Sequence, residues 1–414
     1  MRRRSVLWGI GALGAATWGA RVCGAAQRPR AGLRVAVVGG GIVGSSIAMH
    51  LAQAGASVVL LERAAPATGA TEKSFAWINP WTADPVYRQL RLSSMAAYRA
   101  LDAALDLGIT WGGYIDWAID PDEAAAVREL AASMQGTAYA TRRLDPEQWP
   151  RISPCIVPGP VAEAFYSPVD GHLDPVRVTH QFLGEAGRHG ATVLYPREVL
   201  ELVTRGDRVT SIVTGQGKID VDYLVIAAGV GTPRLLAMLG QVLQLRHAPG
   251  ILAHSVPRPL VTRIVYDGPG GLEFKQMADG SIVGTDAEEA PPIPAHDAIR
   301  REPMDFPGED LRNAHGQRIL AHIGRYMPEA ARASLQRLTL GFRPMPVDGL
   351  PIVDRVPTVA NAHVAVTHSG VTLAPILGRL VAEEIVTGQH CAELAPYRLV
   401  RPTNEPSTGS TSVI

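Results

Sequence analysis

A glycine-rich turn between an apolar strand and a helix limits the fold of this chain more than any other stretch. The strand covers residues 34–38, and Gly39, Gly41 and Gly44 follow it with the spacing G-x-G-x-x-G. A helix, a second apolar strand and Glu62 at the end of that strand complete a βαβ unit. This arrangement is the dinucleotide-binding fingerprint, so we predict a Rossmann-like α/β domain.

The residue types in the turn suit a bound pyrophosphate. Gly39 permits the tight turn, Gly41 lacks a Cβ so that the backbone can approach the phosphates, and Gly44 lets helix and strand pack closely. The helix begins at Ile42 and Val43, where unpaired N–H groups and a partial positive charge favour an anion. We therefore predict that these five residues contact a dinucleotide.

The acid at the end of the second strand bears on which dinucleotide binds. Glu62 can accept hydrogen bonds from a ribose 2′-OH and repels a 2′-phosphate, which favours NAD or FAD over NADP. Arg63 follows it and is a further candidate contact to the cofactor. The alternative is a glycine-rich turn that binds no ligand, for which neither the second strand nor the acid is needed.

Length and composition narrow the class of protein. The chain has 414 residues, too long for one compact domain, so we expect two. Lys plus Arg and Asp plus Glu both total 39, and this zero net charge argues against a nucleic-acid-binding protein. Cys23, Cys155 and Cys391 form no C-x-x-C pair and no metal-like cluster, so we predict no metal site. We interpret Cys155 and Cys391 as unpaired thiols, with a disulfide as the alternative.

Residues 1–32 look like an export leader. Arg3 and Arg4 precede an apolar run that is short for a membrane-spanning helix. This start resembles the twin-arginine pattern, which serves proteins exported after folding around a cofactor, and cleavage is expected before Gln27. We therefore predict a periplasmic or other extracytoplasmic protein. The alternatives are an uncleaved anchor, the only membrane contact we expect, and a cytoplasmic protein with a basic tail.

A second candidate cofactor element lies far downstream. Residues 223–226 form an apolar strand, and Ala227, Ala228 and Gly229 follow it. Small residues at the carboxyl end of a strand allow a ligand to approach closely. Residues 67–79, rich in small and hydroxyl side chains, are typical of a loop and could cover the cofactor.

Hydrophobic periodicity predicts most of the remaining elements. Helices are expected over residues 84–107, 121–135, 176–189 and 310–327, and a last helix follows residues 367–375 and ends at residue 387. Strands are expected over residues 109–119, 250–254, 262–266, 272–276 and 281–284. Residues 286–308 are acidic and proline-rich, which indicates a surface loop, and the polar end of the chain indicates a tail.

The motifs, taken in order, resemble the FAD-dependent oxidoreductases of the D-amino-acid oxidase and glycine oxidase superfamily. The resemblance extends from Arg34 to about Thr387. Besides the segments above, it rests on residues 170–175, on 341–344 with 348–351, and on 369–375. Relatives with covalent flavin carry a His or Cys at defined places, and residues 71–74 contain neither, so the resemblance implies non-covalent FAD.

The resemblance also implies two interleaved domains. One is a discontinuous Rossmann-like FAD-binding domain of α/β class, and the other is an α+β substrate domain built round an antiparallel sheet. The expected ranges are 33–80, 155–245 and 336–395 for the FAD-binding domain, 81–154 and 246–335 for the substrate domain, and 396–414 for the tail.

Further cofactor contacts follow from the resemblance by position. Ser74 and Phe75 would lie near the flavin or its pyrophosphate, Val199 would hold the adenine, and Ala228 and Gly229 belong to the FAD-binding domain. The beginning of the last helix would face the polar edge of the flavin ring, where a helix N-terminus stabilises the charge of reduced flavin. Its residues are Gly370, Val371, Thr372 and Leu373.

Two residues are implied to act on the substrate. Arg343 would bind the substrate carboxylate, since a guanidinium forms a bidentate pair with a carboxylate. The alternatives are that Arg343 caps a surface strand or pairs with Asp348. Relatives similar to glycine oxidase often carry a second arginine in the last motif, where this chain has Thr367, His368 and Ser369. His368 could replace that substrate contact or form a hydrogen bond in the core.

The resemblance implies oxidation of an amino acid or secondary amine to an imine, by hydride transfer to flavin N5 followed by hydrolysis. The alternatives are an NAD-linked dehydrogenase and a non-catalytic FAD-binding protein. Oxygen, a quinone and a protein are all open as the electron acceptor. For the substrate pocket, Tyr266, Phe274 and His254 are candidates in addition to His368.

Overall fold

The computed structural model describes residues 32–286, Ile299 and residues 308–401. The predicted leader, most of the predicted acidic loop and the end of the predicted tail lie outside this part. Predictions about export and leader cleavage therefore stay predictions. In the part that is described, no helix has both the length and the apolar composition to cross a membrane.

The helices alternate with strands over most of the chain. The α-helices are α1 (Ile42–Gln53), α2 (Pro85–Leu105), α3 (Pro121–Ser133), α4 (Trp149–Ile152), α5 (Pro175–Arg188), α6 (Thr232–Ala237), α7 (Glu309–Gly324), α8 (Pro328–Ala331) and α9 (Gly370–Thr387). Two 3-10 helices cover Gly229–Gly231 and Ala392–Tyr397.

Within the described residues the strands are short and belong to five sheets. They are β1 (Arg34–Val38), β2 (Ser57–Leu61), β3 (Trp77–Ile78), β4 (Tyr114–Ala118), β5 (Arg142–Arg143), β6 (Glu163–Ser167), β7 (Gly171–His172), β8 (Thr192–Leu194), β9 (Val199–Arg205), β10 (Arg208–Thr214), β11 (Gly217–Asp220), β12 (Tyr223–Ile226), β13 (Leu245–Arg246), β14 (Pro249–Ser255), β15 (Val265–Gly268), β16 (Leu272–Gln276), β17 (Ile282–Thr285), β18 (Leu335–Phe342), β19 (Met345–Pro346), β20 (Ile352–Arg355) and β21 (Ala362–Val366).

The predicted βαβ unit forms the centre of a six-stranded sheet. Its order is β20-β21-β12-β1-β2-β8, with β1 parallel to both β2 and β12. Helices α1, α5 and α9 pack together on it, and an apolar core lies between them and the sheet. Because the carboxyl ends of parallel strands meet at one edge, the glycine turn and the residues after β12 lie side by side.

A second, mainly antiparallel sheet has eight strands. Its order is β18-β14-β17-β16-β15-β4-β6-β5, and only β15 and β4 run parallel. One face packs on α7 through a second core that includes Trp117, Tyr266 and Phe274. The other face turns toward Phe75 and Trp77. The two sheets confirm the predicted α/β and α+β architecture.

Three helices begin at the sequence Asp-Pro. Asp84, Asp120 and Asp174 each accept hydrogen bonds from two backbone N–H groups in the first turn of α2, α3 and α5. Proline at the first helical position loses no hydrogen bond, because that N–H has no partner inside the helix. The predicted helix boundaries at these points are confirmed within one or two residues.

Some predicted strands differ from the structure. The strand expected over residues 109–119 is limited to β4, and the one expected over 262–266 begins only at Val265. Strands β6 and β20 did not stand out in the sequence. In each case strand pairing, rather than local apolar content, decides the boundary. Cys155 and Cys391 are free thiols, as predicted.

The last described residues pack against the first core, although a tail was expected from residue 396. Tyr397 is buried, and Arg401 forms an ion pair with Asp348 at 2.8 Å. Arg398 binds the Glu384 carboxylate at 2.6 Å. The polar composition of this segment thus reflects ion pairs formed with α9 and the loop before β20.

The Glu384 carboxylate is fully buried and holds the last described residues in place. It also accepts hydrogen bonds from the His363 ring at 3.1 Å and from the Cys391 N–H at 2.7 Å. Although burial opposes it, hydrogen bonds from His363 and Arg398 lower the pKa of Glu384 to about 2. Glu384 is therefore charged at neutral pH, and its buried charge is stabilised by these hydrogen-bond partners.

We expect Arg398→Met to lower the free energy of unfolding by about 3 kcal/mol at neutral pH, because it leaves a buried carboxylate without its main partner. Chemical denaturation measures the loss. Because the folded pKa of Glu384 lies below the unfolded value, the contribution of the pair is complete above pH about 4.5 and fades as pH falls toward 2.

Arg379→Met is the matched control, since Arg379 forms an exposed i,i+4 pair with Glu383. Exposed pairs of this kind contribute only about 0.5 kcal/mol. Equal losses in the two variants, or a loss in Arg398→Met that persists unchanged in acid, would contradict a buried ion pair.

Candidate functional site

The glycine turn leaves no room for side chains. Gly39 has φ +116°, and a Cβ there would overlap the carbonyl oxygen of Ala227. A Cβ at Gly44 would overlap the carbonyl oxygen of Gly39, and one at Gly41 would lie 3.1 Å from the Thr71 hydroxyl. The G-x-G-x-x-G spacing is therefore required by the approach of β1, α1 and the end of β12.

Glu62 and Thr71 bind the backbone of the turn. The Glu62 carboxylate accepts hydrogen bonds from the N–H groups of Gly40 at 2.8 Å and Ala64 at 2.9 Å. The Thr71 hydroxyl accepts from the N–H of Ile42 at 3.1 Å, whereas α1 has no capping side chain of its own and no acid in its first turn. The helix N-terminus is thus suited to an anion. Thr71 was missed as an individual residue, although its loop was expected there.

The residues expected around the rest of the cofactor lie along the same edge of the sheet. Gly229 has φ +56° and only open space where a Cβ would stand, beside Ala228, which is half-buried. Val199 begins β9 and is buried, and its carbonyl accepts from Arg234 at 3.0 Å. Arg63 is exposed next to Glu62.

The beginning of α9 lies against the beginning of α1. A Cβ at Gly370 would be 3.2 Å from the Val43 side chain. The carbonyls of Val371 and Thr372 accept hydrogen bonds of 2.6 Å from Tyr98 and Ser94 of α2, and Leu373 is buried. Two positive helix ends therefore converge, one suited to a pyrophosphate and the other to a second anionic group.

The segment that contains Ser74 and Phe75 lies between α9 and the eight-stranded sheet. The carbonyl oxygen of Trp77 accepts a hydrogen bond of 3.0 Å from the Thr372 hydroxyl. The Trp77 ring stacks on Tyr114 of β4. Phe75 is buried in the same cluster. The glycines of the turn have no side chains, open space lies next to Gly229, and two helix N-termini converge nearby. Together these features fit an FAD molecule extended across the carboxyl edge of the six-stranded sheet.

Arg343 follows β18 and has no carboxylate partner among the described residues. Its guanidinium makes only long hydrogen bonds, to the carbonyls of Ala248 at 3.5 Å and Pro249 at 3.3 Å. The alternative pairing with Asp348 is wrong, because Arg401 binds that carboxylate. Burial lowers the pKa of Arg343, whereas the negative charge of Glu273 raises it. A partly buried guanidinium with spare donors can bind a substrate carboxylate.

His368 lies close to Arg343, so the structure brings both predicted substrate residues together. Its ring is 3.4 Å from the Ser369 hydroxyl and is only partly buried. Burial lowers the pKa of His368 to about 3, and nearby Arg91, Arg343 and Arg246 add to the effect. His368 is consequently neutral over the physiological pH range.

Arg91, by contrast, forms hydrogen bonds through all three of its guanidinium nitrogens. Its guanidinium donates to the backbone carbonyl of Asn79 at 2.9 Å, to the side-chain oxygen of Asn79 at 2.6 Å and to the Ser369 hydroxyl at 3.2 Å. This arrangement joins α2 to the beginning of α9 and holds the loop after β3. Arg91 thus supports the position of His368, whereas Arg343 keeps free donors.

Strand β16 contributes residues that the sequence-based prediction missed. Glu273 and Lys275 point to the face that carries Phe75, while Phe274 and Tyr266 pack in the core on the opposite face. The prediction of Tyr266 and Phe274 as pocket residues is therefore wrong. The alternation E-F-K within an apolar strand was the available signal, because charged residues are rarely buried without a reason.

Lys275 lies beside the predicted flavin contacts. Its ammonium donates to the Ala76 carbonyl at 3.2 Å and lies 5.0 Å from the centre of the Phe75 ring. Burial lowers the pKa of Lys275 to about 7. His254, the remaining candidate, bonds Thr339 at 3.2 Å, and burial lowers its pKa to about 4.

Comparisons with known proteins agree with this geometry. The family model described as FAD dependent oxidoreductase matches residues 34–384. A subunit of the opine oxidase of Agrobacterium tumefaciens is 28% identical over 87% of this chain and 95% of its own length. Glycine oxidase of Geobacillus kaustophilus is 25% identical over 89% of this chain and 96% of its own length. Rat mitochondrial dimethylglycine dehydrogenase is 26% identical over 87% of this chain, which spans only 44% of that protein.

Solved structures show the same fold. L-proline dehydrogenase from P. horikoshii superposes with a TM-score of 0.78 at 21% identity, covering 89% of this chain and 97% of that one. Glycine oxidase from Geobacillus kaustophilus superposes with a TM-score of 0.76 at 22% identity, covering 89% and 99%.

The comparisons confirm the predicted family and FAD as the cofactor. They leave no support for the alternative of an NAD-linked dehydrogenase. The chain belongs to the family of FAD-dependent oxidoreductases.

Proposed function

We propose that this enzyme oxidises the C–N bond next to the carboxylate of an amino acid or N-substituted amino acid. The observation that carries the proposal is Arg343, a partly buried guanidinium with spare donors beside neutral His368 and near the beginning of α9. A bidentate pair with Arg343 would fix the substrate carboxylate and thereby orient Cα. The similarity to an opine oxidase and to a glycine oxidase is consistent with substrates of this kind.

The charges around Arg343 favour the reactive form of the amine. Arg246 and Arg343 both lie close to His368, and a cation nearby lowers the pKa of an amine. The substrate nitrogen then binds neutral and keeps the lone pair that it needs to form an imine. When bound, FAD would supply the two-electron acceptor for the hydride of Cα, which Arg343 would hold in place through the substrate carboxylate. Water afterwards hydrolyses the released imine to a carbonyl compound and an amine.

The test is anaerobic mixing of the purified holoenzyme with D- and L-amino acids, N-methyl amino acids and simple amines. We expect bleaching of the oxidised-flavin absorbance by compounds that carry both an amine and an adjacent carboxylate. Simple amines without a carboxylate should be slower by about 100-fold or more, since they cannot pair with Arg343. If no amine reduces the flavin, the alternative of a non-catalytic FAD-binding protein is favoured.

The same experiment separates the possible electron acceptors. Readmitting air after reduction shows whether oxygen restores the oxidised flavin quickly. Slow recovery in air, with rapid recovery on adding a soluble quinone, would instead favour a dehydrogenase that passes electrons to a quinone or a protein.

A further inference from the structure

Three carboxylates form a row across the eight-stranded sheet. Asp116 of β4 is the direct partner of Asp267 of β15, and Asp267 is the direct partner of Glu273 of β16. Directly paired residues point to the same face and lie about 5 Å apart. We call Asp116, Asp267 and Glu273 the acid row. It spans three neighbouring strands, or about 10 Å.

The acid row lies on the substrate-facing side of the sheet. Residues two positions away on the same strands, Tyr114, Val265 and Lys275, form the next row along. Tyr114 and Val265 belong to the apolar cluster of Phe75 and Trp77, and Lys275 covers the Phe75 ring. The acid row therefore shares its face with the residues that adjoin the predicted flavin contacts, and not with the core under α7.

The acid row is largely buried. Asp116 is 7% exposed and Glu273 3% exposed, while Asp267 between them is half-buried and accepts a hydrogen bond from the Tyr114 hydroxyl at 3.2 Å. None of the three forms a salt bridge with any residue in the described part of the chain. Burial, followed by repulsion from Asp267, raises the pKa of Asp116 and Glu273 well above the usual range. Adjacent acids without a counter-ion are costly to bury.

Glu273 provides a separate sign of a missing ligand. Its Oε2 atom is enclosed without a hydrogen-bond partner. The whole side chain forms no hydrogen bond with any described residue. Buried polar atoms in native proteins are nearly always paired, so an orphaned carboxylate oxygen indicates a partner that arrives from outside the chain.

The acid row begins next to the residue proposed to hold the substrate carboxylate. Arg343 and Glu273 are close enough to shift the pKa of each other, whereas Asp267 and Asp116 lie successively farther along the sheet and approach Glu123 of α3. A substrate anchored at Arg343 by its carboxylate can thus extend over the acid row.

We propose that the acid row binds a positively charged group, a guanidinium or an ammonium, at the far end of the substrate. The preferred substrates are then basic amino acids, or their N-substituted derivatives, held by a carboxylate at Arg343 and by a cation at the acid row. Arrival of the cation supplies the partner that Glu273 Oε2 lacks and offsets the cost of burying the carboxylates. This inference rests on the proposed function of Arg343.

A non-oxidisable probe tests the acid row without turnover. δ-Guanidinovalerate has a carboxylate and a guanidinium but no α-amine, and hexanoate is an analogue that lacks the guanidinium. Titration calorimetry with the oxidised holoenzyme should show δ-guanidinovalerate binding at least about 10-fold more tightly than hexanoate. In Asp116→Asn/Asp267→Asn that preference should disappear, while hexanoate binding stays unchanged.

The double variant should fold, because the amides match the shape of the carboxyl groups and remove their mutual repulsion. Its melting temperature and flavin content verify this, and the single variant Asp267→Asn serves if the double variant fails to fold. Asp220→Asn, a change at an exposed residue of β11, is the matched control and should keep the wild-type preference.

Turnover separates failure of this inference from failure of the proposed function. Each amino acid is used in the enantiomer or N-substituted form that reacts. With the wild type, kcat/KM for flavin reduction should be at least about 10-fold higher for arginine or lysine than for norleucine. Comparing arginine with lysine shows which cation fits better. Equal rates with norleucine, or a preference for δ-guanidinovalerate that survives in Asp116→Asn/Asp267→Asn, would overturn the acid row as a cation site. No reduction by any amino acid would instead remove the proposed function.

Discussion

Arg343→Met should lower kcat/KM for flavin reduction by about 100-fold or more and leave the FAD content unchanged. The reason is that methionine keeps much of the volume of the arginine stem but removes a partly buried guanidinium whose hydrogen bonds to the protein are only long ones. Arg343→Lys should recover only part of the loss, because an ammonium cannot form the bidentate pair. Anaerobic stopped-flow reduction measures the rates, and flavin absorbance relative to protein absorbance measures the FAD content.

Arg337→Met is the matched control, because Arg337 lies on the same strand, β18, and is exposed. It should react at the wild-type rate. A structural role for Arg343 would give a different pattern. The melting temperature would then fall by several degrees and FAD would be lost, while the protein that stays folded would retain the wild-type kcat/KM.

Gly39→Ala should give a protein that is insoluble or lacks FAD. The new Cβ would overlap the Ala227 carbonyl oxygen, and φ of +116° is unfavourable for alanine. Relief would require β1 and the end of β12 to separate at the point where the cofactor binds. We expect a loss of about 3 kcal/mol or more in the free energy of unfolding, measured by chemical denaturation together with flavin absorbance.

Gly55→Ala isolates the contribution of backbone strain. Gly55 also has positive φ, of +86°, but no atom lies within 4 Å of the Cβ that alanine would add. This control should lose only about 1 kcal/mol and keep its FAD. If both variants lost FAD alike, the close approach of Ala227 would not be the reason for the glycine at position 39.

Local stereochemistry explains why the cofactor half of the molecule was predictable. A Cβ at Gly39 or Gly44 would overlap a backbone carbonyl oxygen, and Gly229 has positive φ, so these positions appear as residue types at set spacings. Elements β1, α1 and β2 consequently occur in the predicted order, and β1 has the predicted bounds. The proximity of Arg343 and His368 followed only from the family resemblance, because they belong to separate elements.

The substrate half was predicted less well because a buried strand has two buried faces. Strand β16 was expected at the right place, but its apolar Phe274 was predicted to line the pocket and its charged neighbours were overlooked. An isolated strand does not reveal which face packs on its own core and which meets the other domain. Burial of Glu273 and Lys275 becomes visible only when both sheets are assembled.

The glycine turn, the acid after β2 and the small residues after β12 therefore indicated a dinucleotide and a Rossmann-like domain from the sequence alone, because these residue types recur at set spacings in that fold. The tertiary structure decided which charges face the substrate. Asp116 and Asp267 become neighbours only when β4 pairs with β15, and the two strands lie far apart in the sequence. Substrate choice depends on that pairing, since carboxylates bind a cation together only when strand register aligns them on one face.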